Sequence, residues 1–247
     1  MSTAADPGDG VSRLRALHRG RDAGDPLVLP GPWDAASAQI FAEAGFEALA
    51  TPSHGVAASL GHADGETPAD EMFAAVARIV RAVEVPVTAD IERGYGLPPG
   101  RIVERLLEAG AAGCNLEDSE GGEMAAPERQ AEFLSAVVTA ARGRLLVNAR
   151  IDSYLRDVPD PLADALARAR LYAEAGAECV YPIGAPLADI RVLARELETP
   201  VNALATVDGP APRELGAAGA RRITFGGGLM VRASAAVRDM ARELRGT

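Results

Sequence analysis

The chain has 247 residues, 48% of them hydrophobic, and a formal net charge of −10 at pH 7. That charge argues against nucleic acid and anionic membranes as partners, and the 4% aromatic content disfavours a base-stacking platform. The two cysteines, Cys114 and Cys179, both lie in apolar runs, so they read as buried structural thiols rather than a disulfide framework.

Residues 1–10 carry neither a basic start nor an apolar stretch, and no apolar run approaches bilayer-spanning length. A soluble, cytoplasmic protein is therefore expected, with a disordered N-terminus over 1–10 and one domain over 11–247. Val11, Leu14 and Leu17 predict a short helix over Val11–His18, with His18 on its solvated side. Strand-like runs follow at Leu27–Pro30, Ala48–Thr51, Val87–Asp90, Gly113–Glu117, Leu145–Arg150, Cys179–Pro182, Val201–Ala203 and Arg222–Phe225. Helix-like segments separate them: Ala35–Ala44, Pro68–Glu84, Pro98–Ala109, Pro127–Ala141, Pro161–Ala175 and Pro186–Leu197. Several open on proline, whose missing N–H costs nothing in a first turn. Several close on Ala-Gly, glycine being the residue that accepts the left-handed conformation past a helix end.

Eight βα units in a chain of this length predict a (β/α)8 barrel of the TIM type, class α/β. The competing open doubly wound sheet usually carries a glycine-rich phosphate turn after its first strand, and Pro30-Gly31-Pro32-Trp33-Asp34 is not one.

In such barrels the chemistry sits at the C-terminal strand ends. Asp90 and Glu92 end the third strand, and side chains two apart on a strand share a face. Glu117 ends the fourth and joins them if the strands are neighbours. Three converging carboxylates with no evident Lys or Arg between them need a cation, and an all-oxygen set suits Mg²⁺ or Mn²⁺. The alternative is that these acids cap the following helices. Arg150 ends the fifth strand and offers a planar fork suited to a substrate carboxylate or phosphonate, or else to a structural pair with Asp152 or Glu117. Trp33 is placed to form an apolar wall over the substrate, while His54 and Thr206 stand at other strand ends as candidate substrate contacts. Gly226-Gly227-Gly228 reads either as a tight turn or as an anion cradle at a helix start.

Taken in order, Pro30–Ala38, Ser53–Gly61, Asp90–Gly96, Leu116-Glu117-Asp118 and Asn148-Ala149-Arg150 resemble the isocitrate lyase/phosphoenolpyruvate mutase superfamily, in its short 2-methylisocitrate lyase-like branch, over about residues 11–245. The resemblance implies that Asp90, Glu92 and Glu117 hold Mg²⁺, partly through waters. It also implies that Asp64 stands near the metal or the reacting bond, that the backbone of Ser53, His54 and Gly55 lines an anion pocket, and that Arg150 binds the substrate. Family members act on α-keto or α-hydroxy acids, breaking a C–C or P–C bond through an enolate-like state. The resemblance further implies a homo-oligomer, a dimer or tetramer.

One departure is large. The family's C–C lyases carry a Lys-Lys-Cys-Gly-His type loop after the fourth strand, and here Asp118–Ala126 holds no Cys, Lys or His. Glu120 or Glu123 then becomes the candidate general acid, unless both are solvated surface residues, and the segment is expected to act as a mobile lid. Three functions follow: a Mg²⁺-dependent C–C lyase acting on a small anionic carboxylic acid, a phosphonate mutase or hydrolase, or a weakly catalytic keto-acid-binding barrel.

Overall fold

The computed structural model describes residues 7–19, 21, 24–156 and 158–246. The first helix, α1 (Pro7–Arg19), begins earlier than the sequence suggests, so residues 7–10 are helical rather than disordered, while 1–6 lie outside the described residues. His18, expected on a solvated face, is 8% exposed. The reason lies in the dock: Val11 and Leu14 of α1 pack on Leu27, Leu29, Ala48, Ala50 and Leu146 at the floor of the barrel, and His18 goes under with them.

All eight expected strands form. They are β1 (Leu27–Val28), β2 (Leu49–Thr51), β3 (Val87–Asp90), β4 (Gly113–Glu117), β7 (Leu146–Ile151), β8 (Cys179–Pro182), β9 (Asn202–Leu204) and β10 (Arg222–Thr224). Two short strands, β5 (Ser119–Glu120) and β6 (Glu123–Met124), make an antiparallel hairpin in the loop after β4. The barrel strands pair in parallel as two arcs, β2-β3-β4-β7-β8 and β9-β10-β1. Two seams close the ring. At one, Val180 bridges to Val201 and its N–H donates to Pro200 O at 3.0 Å; at the other, Ala50 N–H donates to Pro30 O at 3.1 Å. The result is the (β/α)8 architecture.

The connecting helices are α2 (Ala35–Glu43), α3 (Ser53–Leu60), α4 (Ala69–Val80), α5 (Pro99–Glu108), α6 (Pro127–Ala141), α7 (Pro161–Glu174), α8 (Leu187–Glu196), α9 (Pro212–Ala217) and α10 (Gly228–Arg245). Gly45, Gly110, Gly176 and Gly219 take left-handed φ angles past their helix ends, as the recurring Ala-Gly pairs require. None of the described helices is long and apolar enough to cross a membrane.

Strand alternation divides the side chains into two sets. Val87, Ala89, Cys114, Leu116, Val147, Ala149, Val180, Ala203 and Ile223 belong to the core beneath the helices. Cys114 and Cys179 are buried free thiols, and burial pushes Cys114 up to about 12. The opposite parity points inward, and above the apolar floor it is polar: Thr88, Asn115, Asn148, Asn202, Arg222 and Thr224, all at most 5% exposed. A barrel interior is usually filled by branched apolar residues. Here polar layers lead directly up to the mouth.

Candidate active site

The mouth is built around Arg150. Glu117 of β4 and Arg150 of β7 are direct cross-strand partners, and their side chains meet at 2.6 Å. The same guanidinium donates from Nε to Asp152 Oδ1 at 2.7 Å and from Nη2 to Asp152 Oδ2 at 3.2 Å, and its Nη1 stands 3.9 Å from Asp90. The expectation that no arginine stands between the acids is therefore corrected: the neighbouring strand inserts one. The alternative role of Arg150, a structural pair with Asp152 or Glu117, is the one its contacts show, and both partners are engaged at once.

Glu92 also needs a correction. β3 stops at Asp90, so strand alternation does not carry Glu92 to the cluster. A tight turn does. Glu92 N–H donates to Asp90 Oδ1 at 3.3 Å, and Glu92 and Tyr95 take φ values of 52° and 57°, a left-handed region that side chains adopt at a cost. Burial, followed by the charges of Asp90 and Asp64, pushes Glu92 up to about 7. Burial likewise pushes Glu117 up to about 8, with Arg150 pulling the other way, and raises Asp90. Arg150 itself is raised because the surrounding acids outweigh its desolvation. Glu92 Oε1 and the Tyr95 hydroxyl are buried without a hydrogen-bond partner.

Two observations decide whether a hard divalent ion suits this set. Among the described residues, no three Asp, Glu, His or Cys side chains stand close enough together to hold one ion directly. Magnesium, however, commonly keeps several waters and takes only one or two carboxylates. Burial, and then mutual repulsion, makes these acids hold protons unusually tightly, and one Glu92 oxygen is buried with no hydrogen-bond partner. An all-oxygen, water-assisted site fits these residues.

The other expected residues fall around this centre. α3 begins at Ser53, so the N–H groups of Ser53, His54 and Gly55 form its first turn, where no intrahelical acceptor exists. Gly55 is required there, since a Cβ would stand 2.9 Å from the Pro52 ring. His54 is exposed, with its ring against Gly227 at the start of α10. Trp33 packs edge-on against Phe41 at 6.5 Å and is partly buried. Asp64 sits in an exposed turn whose charge reaches Asp90 and Glu92. Thr206 is exposed in the turn after β9. Glu120 is exposed and paired with Arg93 at 2.7 Å, and Glu123 is exposed on the other strand of the hairpin. A groove of about 1140 Å³ lies outside the barrel among α5, α6 and α7 and contains none of these groups.

Several contacts around the site were not foreseen. Asp118, wholly buried, accepts from Asp152 N–H at 2.9 Å, from Tyr172 at 2.8 Å and from Arg168 at 3.1 Å. Ser119 donates to Asp152, and Arg156 donates to Ser119 at 3.2 Å. Below the acids, Asn148 donates to Asn115 Oδ1 at 2.8 Å, and the buried Arg222 donates to the same oxygen at 3.2 Å. Asn148 and Asp152 already stood at an expected strand end, and strand parity could have found Asn115 and Arg222. Nothing in the sequence marks Arg168 or Tyr172.

Residues 14–245 match the family model of phosphoenolpyruvate phosphomutase. The chain is 34% identical to the 2-methylisocitrate lyase of Aeropyrum pernix over 212 residues, covering 81% of this chain and 67% of that protein. A crystal structure from Burkholderia cenocepacia J2315, provisionally named a phosphonomutase, is 37% identical with a TM-score of 0.88, covering 96% of this chain and 99% of that one. Oxaloacetate acetylhydrolase in complex with its product oxalate superposes at a TM-score of 0.86 with 25% identity, covering 97% of this chain and 88% of that one. By the family match and by the barrel that carries it, the chain belongs to the phosphoenolpyruvate phosphomutase family, within the isocitrate lyase/phosphoenolpyruvate mutase superfamily of lyases and mutases.

Proposed function

We propose that this chain is a divalent-metal-dependent lyase that cleaves a C–C bond in a small α-keto or α-hydroxy carboxylic acid. The observation that carries the reading is the set of buried, mutually repelling acids at the strand ends, Asp90, Glu92 and Glu117, with a partnerless Glu92 oxygen among them. These three would hold Mg²⁺ or Mn²⁺. When bound, the ion supplies Lewis-acid stabilisation to negative charge developing on the substrate's keto or hydroxy oxygen.

The chain's own groups then have separable tasks. Arg150, locked by Asp152 and Glu117, presents a fixed positive charge beside the developing anion and keeps the acids apart. The first-turn N–H groups at Ser53–Gly55 orient a carboxylate. The hairpin of β5 and β6 covers the mouth and excludes water. Glu123 is the better candidate for a proton donor, because Glu120 is already engaged by Arg93. Asp64, whose charge acts on Asp90 and Glu92, would assist at the metal or the reacting bond.

A second reading, phosphonate mutase or hydrolase, is favoured by the match to the phosphomutase family. One experiment separates the two. Wild type is assayed with Mg²⁺ over methylisocitrate, dimethylmalate, oxaloacetate and phosphonopyruvate, alongside calorimetry of Mg²⁺ binding to wild type and Asp90→Asn. The lyase reading requires turnover of a carboxylic acid and loss of ion binding in the variant. Turnover of phosphonopyruvate alone favours the second reading, and absence of ion binding by wild type removes the first.

A further inference from the structure

Arg150 has little left to offer a substrate. Its Nε and Nη2 are spent on Asp152 and its Nη1 on Glu117, with Asp90 next in line. A guanidinium carries five N–H donors in a rigid fork, and all three nitrogens here face acids of the chain itself. A substrate with two carboxylates therefore lacks a counter-charge for its far end, in a mouth already crowded with acids.

The neighbouring guanidinium is in the opposite condition. Arg156 lies in the turn after β7, with Nη2 3.9 Å from the same Asp152 oxygen that Arg150 binds. Its hydrogen bond is the 3.2 Å contact to Ser119, at the base of the hairpin. Its Nε is buried with no partner, and the side chain is 32% exposed. A desolvated donor without an acceptor is a standing cost that an arriving acceptor relieves. Arg156 is thus a partly open fork that shares Asp152 with Arg150 and holds Ser119 at the base of the hairpin.

We propose that Arg156 binds the distal carboxylate of the substrate and so selects dicarboxylic over monocarboxylic α-oxygenated acids. This inference rests on the reading of the metal-dependent site given above. The reacting end would lie at the acids and the Ser53–Gly55 turn, and the second carboxylate would complete the fork that the chain leaves unfilled. Closure of the hairpin would follow binding, because Ser119 and the substrate share one guanidinium.

The test is calorimetry in saturating Mg²⁺ with two titrants, oxalate and malate, on wild type, Arg156→Met and Arg156→Lys, each confirmed folded by thermal melting. Oxalate needs only the reacting end, whereas malate adds a distal carboxylate. Arg156→Met is expected to weaken malate by roughly tenfold or more while changing oxalate by less than about twofold, and Arg156→Lys to restore part of the malate affinity. Unchanged malate binding in Arg156→Met, or equal weakening of both titrants, overturns the role of Arg156 and leaves the metal-site reading standing. Failure of wild type to bind oxalate with Mg²⁺ overturns that reading, and this inference with it.

Discussion

At the scale of single residues, the centre of the site is one arginine shared among acids that would otherwise repel. Removing one partner from a buried ion network leaves the others uncompensated, at a cost of about 3–5 kcal/mol. Arg150→Met is therefore expected to lose stability of that order, and more at pH 8 than at pH 6, because the freed acids take up protons at the lower pH. Adding Glu117→Gln should recover part of the loss, and thermal melts of the single and double variants check it. His18 makes a separate pH prediction. Its Nδ1–H donates to Leu14 O at 2.8 Å, and burial, with Arg222 second, lowers its pKa to about 4. Below the unfolded value of about 6.5 the unfolded chain gains a proton that the folded one refuses, so stability falls between pH 6.5 and about 4. The full shift corresponds to an upper bound of about 3 kcal/mol. Denaturant titrations of wild type and His18→Gln across that window should converge as pH falls, and parallel curves would clear His18 of the effect. Asp90, Glu117 and Arg150 were legible in the sequence because barrel logic points at strand ends. The pairing of Arg150 with Glu117 and Asp152 was legible only as the alternative to substrate binding, since register between distant strands, a tertiary fact, decides it.

Among the elements, the hairpin after β4 shows what a lid needs besides glycine. Its tip holds Gly121 and Gly122 at left-handed φ, but its base is fastened: Ala125 N–H donates to Asp118 O at 2.7 Å, and Arg168 donates to Ala125 O at 2.9 Å. Asp118 holds that base, β7 and α7 together. Asp118→Asn leaves Arg168 without its buried charge partner, with a loss of about 3 kcal/mol expected. Limited proteolysis should then cut at 121–122 faster than in wild type; equal rates would mean that the base is held by something other than Asp118. Sequence pattern captured the eight strands and the helices from α4 to α8, because prolines and glycines punctuate both ends. It missed α3, a short helix with no charge in its first or last turn, and it missed the hairpin strands β5 and β6, which lie in a polar, glycine-bearing loop with no apolar run to mark them.

For the molecule as a whole, the ring has two unequal kinds of joint. Within each arc the strands exchange bonds in both directions along their length. At both seams the accepting residue is a proline, Pro30 or Pro200, which has no N–H to give back. The barrel is therefore stitched at two places by short contacts, an isolated bridge at Val180–Val201 and one bond at Ala50–Pro30, on opposite sides of the β9-β10-β1 segment. Such joints open at lower free energy than the ladders beside them. Native-state amide exchange should find Ala50 and Val180 less protected than Cys114 and Val147, and uniform protection around the ring would refute this. The further consequence concerns chain entry and escape: β1 and β9–β10 come from the two ends of the sequence, so the last act of folding would be to dock the termini as one three-stranded plank into a five-stranded trough. A nick in the 183–199 connection should accordingly yield two fragments that find each other again in solution.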